Sequence, residues 1–186
     1  MISIVSLWLP VVLSAVFVFF LSWLIHMLLP WHKGDFRKLP AEDDVADALR
    51  KFSIPPGDYM MPCGSGPESM KDPAFLEKFK RGPVVLMTVV KPGPMNMGRS
   101  LLQWFVYCAA ISVFAAYVAG RALGPGADYL AVFRFAGVTS FLGYSLALFQ
   151  DSIWHQRSWG TTMRSTVDGL VYALFTGGTF GWLWPK

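Results

Sequence analysis

Charge is what this sequence has least of. Asp, Glu, Lys and Arg make up 15% of its 186 residues, where a soluble domain carries about 25%. The little charge present is also unevenly spread. Residues 31–100 hold eleven of the sixteen Lys/Arg and nine of the twelve Asp/Glu. Such segregation implies two solvents, water for one segment and lipid for the rest.

Cysteine is nearly absent too. Cys63 lies in the polar segment and Cys108 in an apolar run, so neither a disulfide framework nor a CxxC site is expected. There is no HExxH or HxxxH pair for a metal, and no Gly-Lys-Ser/Thr for a phosphate. Internal repeats of the kind that transporters carry are missing. A net charge of +4 is small, and the basic residues flank apolar stretches without forming an aromatic-laced stripe. That excludes nucleic acid as a partner.

What is present is apolar length. Residues 3–29 carry no Asp, Glu, Lys or Arg, and about 20 apolar residues at 1.5 Å each cross about 30 Å of hydrocarbon. The stretch lacks the basic start and cleavage site of a signal peptide. It reads as an uncleaved span, kinked at Pro10. Further spans are expected at 101–123, 129–149 and 165–184, with Gly124-Pro125-Gly126 as the turn closing the second. Asp151–Arg164 reads as a segment lying on the membrane surface. The fold class is therefore an all-α membrane protein of four transmembrane helices, with a small α+β cytoplasmic insertion between the first two. The domains are 1–30, 31–100 and a three-helix bundle over 101–186.

Within the insertion, Val45, Ala48, Leu49 and Phe52 have helical spacing behind acidic Glu42, Asp43 and Asp44. Asp72-Pro73 reads as cap and first position of another helix, stopped by Gly82. Val84–Val90 is a β-branched run with Tyr59-Met60-Met61 as its expected partner. Cys63 beside Gly64-Ser65-Gly66 reads as a turn.

Basic residues set the orientation. Lys33, Arg37 and Lys38 follow the first span, Lys91 and Arg99 precede the second, and Arg157 and Arg164 join the third to the fourth. These place the insertion in the cytoplasm and both termini outside.

Three groups of residues are candidates for function. Ser165, Gly169, Ala173, Gly177 and Gly181 recur every fourth residue, a small-residue seam along which helix backbones pack closely. Cys108, Ser112, Ala116 and Gly120 answer it from the second helix, and Ala136, Ser140, Gly143 and Ala147 from the third. The bulkier first helix is expected at the periphery. Arg134 and Arg121 near the outer face read as anchors, with Arg134 snorkelling or pairing to Asp128, or as contacts for an anion or lipid headgroup. At the inner face lie all three histidines, His26, His32 and His155, with Asp151 and Asp168. Asp151, His155 and Asp168 are the candidate catalytic set; the histidines are the only candidate metal ligands. Their spacing fits no known motif, and no cofactor is expected. Asp168 also suits the positive end of the fourth helix.

The stretches Ile54-Pro55-Pro56-Gly57-Asp58-Tyr59-Met60-Met61-Pro62, Ser152-Ile153-Trp154, Asp168-Gly169-Leu170-Val171-Tyr172 and Phe180-Gly181-Trp182-Leu183-Trp184-Pro185 resemble those of small bacterial inner-membrane proteins without an assigned activity. The resemblance implies four helices and the bacterial cytoplasmic membrane, and no catalytic residue. The expected function is that of a non-enzymatic accessory or assembly protein, self-associating or bound to a membrane protein. The alternatives are a small oligomeric transporter or channel, and a membrane-interface enzyme.

Overall fold

A computed structural model describes residues 1–186. The chain is mostly helical and forms two compact units, Met1–Arg37 with Asn96–Lys186, and Lys38–Met95.

The first unit is a helical bundle. Its helices are α1 (Trp8–Met27), α4 (Met97–Ala122), α5 (Tyr129–Phe141), α6 (Leu148–Trp154) and α7 (Trp159–Trp182). Three stretches are long and apolar enough to cross a membrane: Val5–Met27, Met97–Ala122 and Tyr129–Trp154, with mean hydropathies of 2.3, 1.8 and 1.4. Pro10 falls in the first turn of α1, where its missing N–H has no partner to lose, so no kink is required. Asn96 and Asp128 cap α4 and α5 through their side chains, accepting from Arg99 N–H and Leu130 N–H at 3.0 Å each.

α5 passes into α6 through a π-helical turn, Leu142–Leu146. One extra residue per turn rotates everything beyond it. Tyr144 and Ser145 are therefore buried and Ala147 is exposed, so Ala147 does not continue the seam expected of it. The displaced Gly143 carbonyl accepts from the Tyr107 hydroxyl at 2.7 Å.

Two other expectations are corrected. The helix bounds around Asp151–Arg164 shift: α6 carries the helix on to Trp154 and α7 begins at Trp159, with Ser152 and Thr162 buried and hydrogen-bonded to each other at 2.6 Å. And α1 is not peripheral. It packs on α4 and α7, burying Val11, Ser14, Ala15, Val18, Ser22 and Ile25 along one stripe.

The bundle buries small hydroxyl side chains among its apolar core and exposes large apolar ones. Ser14, Ser112, Ser140, Ser145 and Thr176 are fully buried, whereas Phe20, Trp23, Phe114 and Val138 are more than half exposed. Ser140 and Thr176 donate to carbonyls four residues back.

Residues before α1 and after α7 meet the last turn of α4 and the α4–α5 turn. Ile2 N–H donates to the Gly120 carbonyl at 2.7 Å, and Gly126 N–H to the Pro185 carbonyl at 2.8 Å. Trp184 Nε1 adds a bond to the Gly124 carbonyl at 3.0 Å.

The second unit contains α2 (Glu42–Arg50), α3 (Pro73–Arg81) and an antiparallel pair, β1 (Gly57–Met61) and β2 (Val85–Val89). Tyr59 pairs with Met87 and Met60 with Leu86. Asp72 caps α3 by accepting from Ala74 N–H at 2.9 Å. No residue of Lys38–Met95 is buried.

Candidate functional site

The α1 end carries two imidazoles. α1 places His26 in its last turn, where Nδ1 lies 2.9 Å from the Ser22 carbonyl. A carbonyl only accepts, so that nitrogen carries the hydrogen and Nε2 is left bare in the neutral ring. The chain then makes one 3-10 turn, Pro30–His32, which brings the His32 ring parallel to His26, with centroids 4.4 Å apart and planes at 4°.

α7 supplies the other half. Arg164 and Asp168 lie four residues apart, hence on one face, and both reach the 32–35 segment. Asp168 Oδ2 is 2.7 Å from His32 Nε2. Asp35 Oδ2 is 2.6 Å from His32 Nδ1. Arg164 Nε donates to Asp35 Oδ1 at 2.9 Å, and Nη2 donates to the same oxygen. The four groups form one chain, Arg164–Asp35–His32–Asp168. Asp168 and Asp35 are 7% and 10% exposed at their side chains and His32 13%, so the network is largely withdrawn from water.

Proton counting follows from the contacts. Both ring nitrogens of His32 face carboxylate oxygens, and each contact needs a hydrogen. The chain therefore holds one proton beyond that of a neutral imidazole, and its four groups sum to zero charge. Neutrality lets such a network be buried at modest cost. Burial alone pushes the Asp35 carboxyl up, but the hydrogen bonds from His32 and Arg164 outweigh it and hold its pKa below the ordinary 3.8. A depressed carboxylate pKa stabilises the fold fully above the unfolded value, and that stabilisation is lost as pH falls through the folded value. Thermal unfolding in detergent should therefore show no Asp35 contribution to pH dependence from about pH 7 to about pH 5, and a loss below about pH 4. The loss should shrink in Asp35→Asn.

The inner-face residues thus divide. His26, His32 and Asp168 come together, with one ligand atom from each lying within 4.8 Å of the others. This is the group that could hold a metal. Asp151 and His155 bond each other at 3.2 Å, with Arg157 3.8 Å from Asp151. His155 is exposed and Asp151 half-buried, and neither makes a hydrogen bond to Asp168. The expected catalytic set Asp151, His155 and Asp168 is not assembled, because Asp168 is taken by His32. His155 likewise stands apart from the other two histidines. Asp35 and Arg164 are the members that spacing did not reveal; a lone acid shortly after a histidine in a link carries no periodic signal.

The seam on α7 faces its own chain. A Cβ at Gly177 would lie 2.8 Å from the Phe133 carbonyl oxygen, and one at Gly181 2.6 Å from the Tyr129 ring. At Gly169 it would run into Ser145 Oγ, and Ala173 lies against Gly137. Ser165 is half-buried.

At the other end, Arg121 sits over the Tyr117 ring at 5.6 Å and reaches Met1 Sδ. Arg134 is exposed and does not pair with Asp128, whose carboxylate is engaged as the α5 cap. Asp128→Ala should cost about 1 kcal/mol through the lost cap, and Arg134→Ala should stay within about 0.5 kcal/mol. Equal losses in chemical unfolding would restore the ion pair.

Comparison of the chain with protein families, with curated proteins and with solved structures finds no match.

Proposed function

We propose that this chain is a four-span protein of the bacterial cytoplasmic membrane that works by contact and not by catalysis, presenting Lys38–Met95 to a protein partner on the cytoplasmic side. The observation that carries this reading is that a unit with two helices and a hairpin buries no residue of its own. A unit of this size needs most of its apolar surface covered to stay folded. Here Phe52, Met61, Met70, Val84 and Val90 are all about half exposed or more.

Charge selects the kind of partner. The unit holds eight Lys/Arg and eight Asp/Glu, so it has no basic excess to draw it to anionic lipid. A protein surface covers such a neutral, apolar face more naturally.

Four spans follow from treating α7 as a membrane helix although it is the least apolar. Its polar groups are turned inward, Asp168 to His32 and Thr176 and Thr179 to carbonyls of their own helix. Its exposed positions include Val167, Leu170, Leu174, Phe175 and Trp182. Such an inverted arrangement suits lipid as the surrounding solvent. Up-and-down order then keeps both termini on one side and the insertion on the other, and the basic residues flanking the insertion favour the inner side for it.

Cys63 is exposed and Cys108 buried, so a thiol cross-linker reports on the insertion alone. In intact cells, cross-linking from Cys63 is expected to yield one stoichiometric adduct with a protein, lost on Leu86→Glu. Hydrogen exchange of the purified chain is expected to be fast across β1 and β2. Protection of those amides equal to that of the bundle, in a chain shown to be monomeric, would refute the reading. Labelling of Cys63 by an impermeant reagent from outside would reverse the sidedness.

A further inference from the structure

We propose that His26, His32 and Asp168 are a binding site for one divalent transition-metal ion, with zinc as the best-fitting occupant. Two imidazoles and one carboxylate are a donor set that suits Zn²⁺ and leaves its fourth position to water or another ligand. The three donors already lie within 4.8 Å of one another, although they come from the end of α1, a 3-10 turn and α7.

The surroundings are those of a metal site. Metal-bound imidazoles commonly donate their second nitrogen to a carbonyl or carboxylate, which fixes the ring and its tautomer. His26 Nδ1 does so to the Ser22 carbonyl at 2.9 Å. His32 Nδ1 does so to Asp35 at 2.6 Å, and Asp35 is in turn held by Arg164. Both Nε2 atoms are thereby assigned to the same side of the chemistry, His26 with a bare lone pair and His32 against Asp168. A helix tie between His32 and Asp168 alone would give no role to His26, which is exposed and contributes no bond to another helix.

Loading the site exchanges a proton for the ion. The hydrogen between His32 Nε2 and Asp168 leaves, and the metal takes its place with both as ligands. Ligands about 2.0 Å from a tetrahedral ion stand about 3.3 Å apart, so the present 2.7 Å gap widens by about 0.6 Å. His26 swings out of the ring stack to turn its Nε2 lone pair toward the ion, which an exposed side chain at a helix end can do. The exchange takes the network from zero to one net positive charge: a divalent ion replaces one proton beside an ionised Asp168, while Asp35 and Arg164 continue to neutralise each other. His26 also borders an apolar groove of about 310 Å³ lined with Phe19, Trp23, Met97, Leu101 and Trp104, so the edge of the site is open.

The full chain, purified in detergent and stripped with a chelator, should be titrated with Zn²⁺ by calorimetry. One ion per chain is expected. His26→Ala should weaken binding by more than about 100-fold, beyond what a change outside the ligand shell causes, and His155→Ala should leave it unchanged. His26→Ala leaves the Arg164–Asp35–His32–Asp168 chain in place, so its unfolding midpoint without metal should match the wild type. X-ray absorption at the zinc edge of the wild-type protein should show two imidazoles, a reading independent of any variant. Absence of saturable binding would overturn the site. So would binding that His26→Ala leaves intact, or that His155→Ala weakens as much.

Discussion

Gly177→Ala should cost about 3 kcal/mol, while Gly178→Ala, one residue along, should be close to neutral. The two glycines differ only in what a methyl group would meet. At Gly177 it would lie 2.8 Å from the Phe133 carbonyl oxygen and 3.2 Å from Gly137 Cα. Both obstacles are backbone of α5, so neither can rotate aside and the helices must part along a tightly packed line. At Gly178 the nearest atom is the Tyr129 hydroxyl at 3.6 Å, an ordinary contact, and alanine favours the helix by up to about 1 kcal/mol. Gly177→Leu should be worse than Gly177→Ala. Thermal unfolding in detergent measures all three. Equal midpoints for the two alanine variants would mean that α5 and α7 do not approach as closely as described.

Asp35→Ala should be the other large loss, again about 3 kcal/mol. It removes the one group that joins Arg164 to His32, leaving a guanidinium and a ring nitrogen without their acceptor. Breaking a buried pair on one side costs more than the pair is worth, because the surviving charge stays desolvated. The low end of the usual range is appropriate, since Arg164 is 28% exposed and water can partly replace its partner. Asp151→Ala serves as the comparison. Asp151 also meets a histidine and an arginine, but at 43% exposure its pairs should contribute below about 1 kcal/mol. In a double-mutant cycle, Asp35→Ala and Arg164→Ala should couple by about 1 kcal/mol or more. Strict additivity would show that the two side chains do not act together.

Much of the local structure could be read from residue order. Asp72-Pro73 opened a helix and Gly82 closed it, because a side-chain acceptor, a pre-set φ and a residue tolerant of positive φ act within a few positions. Val84–Val90 formed a strand against Tyr59-Met60-Met61 for the same local reasons. The long apolar helices follow from length alone. What escaped reading depends on three dimensions. α1 is apolar all round, with mean hydropathy 2.3 across Val5–Met27, so hydropathy could not tell which side is buried; Ser14 and Ser22 mark that side only in retrospect. The π turn in Leu142–Leu146 has no residue signature, yet it moved Ala147 off the seam and put Ser145 against Gly169. At the inner end, all three histidines and both aspartates were visible, but their grouping was not. His155 looked closer to Asp168 along the chain than His32 did, and the fold reverses that order. Asp35 became a partner only because a single 3-10 turn folds it back onto α7.

The bonds at the far end of α4 have a practical consequence. Ile2 is hydrogen-bonded to Gly120 in the last turn of α4, and Pro185 to Gly126 in the turn that follows, so the stretches before α1 and after α7 brace the same end of the bundle. Residues inserted at Gly124-Pro125 would loosen both braces at once, and that end of the bundle would become the place where a protease cuts first.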